Sequence, residues 1–132
     1  MSEQVNRGTV VSVRGSVVDA WFPQRLPDIF NVLRTGDDNR IVIEVNTHLN
    51  ANTVRGIALT PTQGLGRGAE VVDTGRFLEV PVGKGLLGRV INVFGSPIDL
   101  KGEIEGTPKP IHQKPVPLTE QSTVSEIFTT GI

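Results

Sequence analysis

The sequence predicts an all-β domain, a small barrel or sandwich, for roughly its first eighty residues. Three observations carry that expectation. Short β-branched and aromatic runs recur at near-regular spacing, Gly- and Pro-rich turns separate them, and nothing there repeats apolar residues at helical spacing over three turns. A chain of 132 residues fits one ordinary domain, or a small domain followed by part of another. Its 37% hydrophobic content suits a chain that buries a core.

The runs follow one another in order. Thr9 to Val13 is β-branched and closes at Arg14-Gly15. Ser16 to Phe22 follows, stopped by Pro23, and Ile29 to Leu33 gives a third run beyond the loop bracketed by Pro23 and Pro27. Arg40 to Thr47 is the clearest strand: Ile41, Ile43 and Val45 share one face, and Val42, Glu44 and Asn46 the other. Thr53 to Leu59 and Glu70 to Asp73 complete the set. Closing such short strands into a barrel removes the exposed edges they would otherwise leave.

The chain changes character near Val80-Pro81-Val82-Gly83. Arg89 to Phe94 reads as one more apolar strand, ended by Gly95-Ser96-Pro97. From Leu100 to Pro117 the chain is polar and proline-rich, and Pro108, Pro110, Pro115 and Pro117 favour an extended connector. No two of these stand three apart, which argues against a PxxP ligand. Thr123 to Gly131 reads as a short helix, with Thr123 and Glu126 at capping-box spacing and Gly131 at the C-cap.

Composition narrows the function. Thirteen basic and 14 acidic residues give a net charge of −1, with no Lys/Arg run, so a nucleic-acid binder is disfavoured. Cysteine is absent, which excludes disulfides and thiolate metal sites. No apolar run reaches the roughly 20 residues of a membrane helix. Residues 1–7 lack the apolar core of a signal peptide, and no long Arg-rich, acid-poor presequence is seen, so a bacterial cytosolic protein is the simplest reading.

Each candidate motif has a plain competitor. Gly83-Lys84-Gly85-Leu86-Leu87-Gly88 satisfies G-x-G-x-x-G, but a dinucleotide turn must open a helix whose free amides meet the pyrophosphate, and a strand-like run follows instead. A phosphate loop ending at Lys84 would need glycine at Leu78 and a hydroxyl at Gly85. Gly64-Leu65-Gly66-Arg67-Gly68 reads as a flexible turn rather than an anion cradle. His48 and His112 lie in different segments and lack neighbours at metal-ligand spacing. Asp19, in an apolar strand, is either a buried acid or a solvent-facing one. Trp21 and Phe22 are expected to be core or interface groups. The sequence therefore offers no catalytic, cofactor-binding or metal-binding residue.

Several segments resemble the beta subunits of rotary (F-type) ATP synthases. Gly8 to Phe22 matches their opening strand pair, a valine-rich strand, a glycine turn, then Val17-Val18-Asp19 and an aromatic. Leu49 and Val54-Arg55-Gly56-Ile57-Ala58-Leu59 resemble a later barrel strand, and Gly64-Leu65-Gly66-Arg67-Gly68 its following turn. Val80-Pro81-Val82-Gly83, Leu87-Gly88-Arg89, Asn92, Gly95, Pro97 and Asp99 fall at the family's spacing, followed by Gly102-Glu103-Ile104, Ile111-His112 and Thr130-Gly131-Ile132. The alpha subunit is the nearest alternative, and Gly15-Ser16-Val17-Val18-Asp19 points to beta. Ser96 and the Thr60–Gln63 loop depart from the usual pattern.

The resemblance implies a small six-stranded closed β-barrel over 1–80, in the crown of the alpha–beta hexamer. It also implies a linker and the incomplete start of an α/β nucleotide-binding domain over 81–132. It makes the parent the catalytic subunit, interconverting ADP plus phosphate and ATP with magnesium, coupled to ion flow and peripheral on the cytoplasmic face of the bacterial membrane. Its partners would be alternating alpha subunits and a central stalk. The phosphate loop, catalytic glutamate and adenine pocket would lie beyond residue 132, so this stretch would hold no cofactor and be monomeric or weakly associated alone. The competing reading is a free-standing β-barrel module for an oligonucleotide or other ligand. That module needs aromatics on a basic face, which five Phe, one Trp and a neutral balance do not supply.

Overall fold

A computed structural model of the chain describes residues 4–130 and 132. β1 (Arg7–Arg14) and β2 (Val17–Trp21) form a hairpin in which Thr9 faces Trp21 and Arg14 faces Val17. β3 (Asn31–Thr35), β4 (Ile41–His48), β5 (Thr53–Ala58) and β6 (Glu70–Phe77) follow. The spatial order β1-β2-β5-β4-β3-β6 closes into a six-stranded barrel with antiparallel neighbours throughout. Closure is made by the first and last strands, where Arg7 pairs with Val72 and Thr9 with Glu70. The six runs read from the sequence all become barrel strands, and the sandwich alternative falls away.

The inside of the barrel is filled from alternate positions. Val10, Val18, Ile43, Val45, Val54 and Val71 are all buried to 1% exposure or less, around Phe22. Gly56 sits on the inner side of β5 because β4 passes too close for a side chain: a Cβ there would lie 2.7 Å from the Glu44 carbonyl oxygen. Register shifts at Val10/Ser12 and Val45/Thr47 mark bulges, the device by which short strands bend round a barrel.

Several expectations need correction. β3 begins at Asn31, not Ile29, because Phe30 takes a left-handed conformation (φ 72°) outside the extended range of a regular strand. No ladder forms over 89–94, where only an isolated bridge joins Ile91 and Pro97. The Asn92 side chain accepts the amides of Phe94 and Ser96, and Pro97 has no amide to give. The proline-rich connector is more than a spacer. Thr107–Pro110 (β8) pairs with Glu79–Val82 (β7) in a two-stranded ribbon. The Ile111 amide donates to the Leu78 carbonyl at 2.9 Å, so with period two Pro81, Pro108 and Pro110 fall where no donor is required. The expected helix at 123–131 is absent from residues 123–130, while Gly131 lies outside the described residues. A helix this short is marginal without a surface to pack against, and the side chains there are exposed. Among the described residues there is no α-helix, so none is long and apolar enough to cross a membrane.

Candidate interaction face

The barrel has two unlike outer faces. On β3 and β4 the outward residues Val32 and Val42 are buried at 6% and 3% exposure beneath Leu78, with Leu59 and Phe94 packed alongside. The chain leaving the barrel folds back over this side. Val32, Val42 and Leu78 thus form a second, smaller apolar cluster.

The β1/β2/β5 face is bare. Trp21 and Ile57 each stay 44% exposed, and Val11 37%. Phe22, its neighbour, is fully buried, so the adjacent aromatics divide between surface and core by strand alternation. Between the exposed apolar groups lies a charge cluster. The Arg55 guanidinium donates two bonds to the Asp19 carboxylate, at 2.8 and 3.0 Å, and Arg14 stands 3.8 Å from the same group. The Arg55 hydrogen bond is the main force holding the Asp19 carboxyl below the usual carboxylate range, against the opposing effect of burial. Both sequence readings of Asp19 therefore meet: it points outward, yet lies covered by guanidinium groups.

The remaining candidates are dispersed. Lys84–Leu86 is a single 3-10 turn leading into extended chain, so Gly83–Gly88 opens no helix. The Arg89 fork grips Asp99 at 2.7 and 3.1 Å, an arrangement that holds the Asp99 carboxyl well below its ordinary range. Gly64–Gly68 forms the turn between β5 and β6, where the Gly68 amide donates to the Val10 carbonyl. His48 Nε2 bonds the Pro27 carbonyl oxygen at 2.7 Å. His112 has different partners, Glu44 and Phe30. Among the described residues no group of three His, Asp or Glu side chains is placed to hold a metal ion.

Sequence reasoning missed one cluster altogether. Asp73 is buried and accepts bonds from Asn31 Nδ2 (3.1 Å), Asn6 Nδ2 (3.1 Å) and the Gly75 amide (2.9 Å). This pin joins the start of β3 and the middle of β6 to the chain entering β1. Nothing in the local spacing of two asparagines and an aspartate signals it.

Comparison with known proteins agrees with the barrel. A family model described as the ATP synthase alpha/beta family, beta-barrel domain, matches residues 10–75. ATP synthase subunit beta 1 of Marinomonas sp. (strain MWYL1) is 53% identical, over 96% of this chain and 27% of its own length. ATP synthase subunit beta of Acaryochloris marina is 50% identical, over 88% of this chain and 25% of its own. ATP synthase subunit beta 2 of Albidiferax ferrireducens is 52% identical over 97% of this chain and 25% of its own. The chain thus spans about a quarter of the length of these relatives. With a closed six-stranded barrel and a beta-barrel-domain model that matches half of its length, the chain belongs to the ATP synthase alpha/beta family.

Proposed function

We propose that this chain is the N-terminal structural part of a catalytic beta subunit, and that its barrel holds an alternating alpha–beta ring together. The observation that carries this is the bare β1/β2/β5 face: Trp21, Ile57 and Val11 around a charged Arg14–Asp19–Arg55 cluster. An apolar patch with ordered charge suits a heterologous neighbour, since the charges reject ill-matched copies while the apolar groups supply affinity. In this reading the barrel domain is 1–80, and 81–132 leads into the nucleotide-binding domain. The parent interconverts ADP plus phosphate and ATP with magnesium, contacts a central stalk, and sits peripherally on the cytoplasmic side of the bacterial membrane.

No catalytic or nucleotide-binding role is assigned to any residue here. Phosphate transfer needs a glycine loop opening a helix, a lysine and a magnesium-binding hydroxyl. Calorimetric titration of the 132-residue chain with Mg-ATP is expected to show no saturable binding.

The deciding experiment is sedimentation of this chain alone and mixed with the N-terminal barrel of a matching alpha subunit. Alone it should be monomeric or weakly associated, because a second copy offers the Arg14–Asp19–Arg55 cluster no matching charge pattern. Mixed, it should shift to a heterodimer that Ile57→Asp abolishes. A tight, closed homo-oligomer at low micromolar concentration would refute the reading.

A further inference from the structure

The chain leaves the barrel at Leu78, makes an excursion through residues 83–106, and returns along β8 to the same point. Its return ends on the Ile111–Leu78 hydrogen bond, and His112 follows immediately. The His112 ring lies flat on Phe30, with centroids 3.8 Å apart and planes 8° from parallel. Phe77 meets both rings edge-on, at 6.2 and 6.3 Å. Nε2 bonds the Glu44 carboxylate at 3.0 Å on β4. Every described residue after His112 is exposed.

Phe30 adds an independent sign. A phenylalanine at φ 72° occupies a region that bulky residues avoid, and such strain persists only where surrounding contacts impose it. Its amide is fixed to the Val45 carbonyl at 2.8 Å, which holds the ring against His112. The local sequence would relax elsewhere if nothing were gained from that ring position.

We propose that His112 is the clasp of a strap, fastening the returning chain to the β3/β4 face and fixing the direction in which the chain leaves the barrel. The ribbon alone cannot serve. Two strands of four residues each hold few backbone bonds, and an isolated two-stranded ribbon is marginal in water. The clasp adds an aromatic stack and a hydrogen bond to a charged group at the ribbon's open end. Whatever follows residue 112 thereby inherits its direction from the barrel wall.

Backbone relaxation and amide exchange by NMR on the 132-residue chain test this. In the parent, the step from rigid to mobile backbone should fall at His112. In His112→Ala it should retreat into β8, and the Ile111 amide should exchange about tenfold faster or more, the scale of a lost stack and charged hydrogen bond. Amides inside the barrel, such as that of Val45, should exchange at unchanged rates. Phe30→Gly is the second variant: it removes the ring while suiting the left-handed backbone, so the barrel is retained whatever His112→Ala does. It should free Ile111 in the same way. Ile111 exchange within about twofold of the parent in Phe30→Gly, or equal acceleration of Ile111 and Val45 in both variants, would overturn the clasp.

Discussion

The two outer faces of the barrel are built alike and end differently. Each presents branched apolar side chains at alternate strand positions. On β3 and β4, Val32 and Val42 disappear under Leu78 and Phe94; on β1, β2 and β5, Val11, Trp21 and Ile57 stay in water. The covered face serves the chain's own stability, because its burial occurs whenever the chain folds. The exposed apolar groups of the bare face contribute little to folding, which leaves them free to be shaped by a partner.

A matched pair of charge insertions offers the sharpest way to break that contrast. Val42→Asp places a carboxylate beneath Leu78 with no partner and is expected to cost about 3 kcal/mol or more. Ile57→Asp, on the bare face, is expected to cost less than about 1 kcal/mol. Urea unfolding midpoints of the two variants measure the difference, and similar losses would erase the distinction between the faces.

The Asp19–Arg55 pair is expected to produce an intermediate effect with a pH signature. Its folded pKa is depressed, chiefly by the Arg55 hydrogen bond, so the stabilisation is complete above the unfolded carboxylate value. As pH falls through the lower folded value, that contribution is lost. Asp19→Asn should therefore be less stable than the parent at pH 6, and the gap should narrow below about pH 4. A gap that widens on acidification would mean the pair destabilises the barrel.

The smallest expected change in stability is that of Trp21→Ala, within about 0.5 kcal/mol, since the ring is half exposed. Its consequence should appear in assembly instead, as an affinity for the alpha barrel at least tenfold lower by sedimentation or fluorescence. A large stability loss with unaltered binding would reverse the roles assigned to the two faces.

How far the sequence could be read followed the range of the interactions. All six barrel strands announce themselves through local alternation and turn residues, as Ile41, Ile43 and Val45 illustrate. The same pattern cannot say that Val42, on the opposite side, is buried too, because its cover comes from Leu78 far along the chain. The β7–β8 ribbon was illegible for a related reason: its prolines argue against strands, and only pairing register makes them acceptable. His112 gives no local sign of meeting Glu44, 68 positions away. At 89–94 the pattern misleads outright, since Asn92 and Arg89 spend their hydrogen bonds on local loop closure. For the interaction face, Trp21 was visible as a core or interface group, but which of the two it was depended on Phe22 taking the inside.

The pairing of β1 with β6 also governs timing. A sheet closed by its first and last strands has no complete wall until Glu70–Phe77 has been synthesised. Until then β1 carries an unpaired edge beside β2, open to any strand-like segment in the cell. All-β folds with such distant pairings form on the millisecond-to-second scale, slowly enough for wrong partners to compete. The early strands of the nascent chain are therefore its most vulnerable part, and the arrival of β6 is the event that ends the exposure.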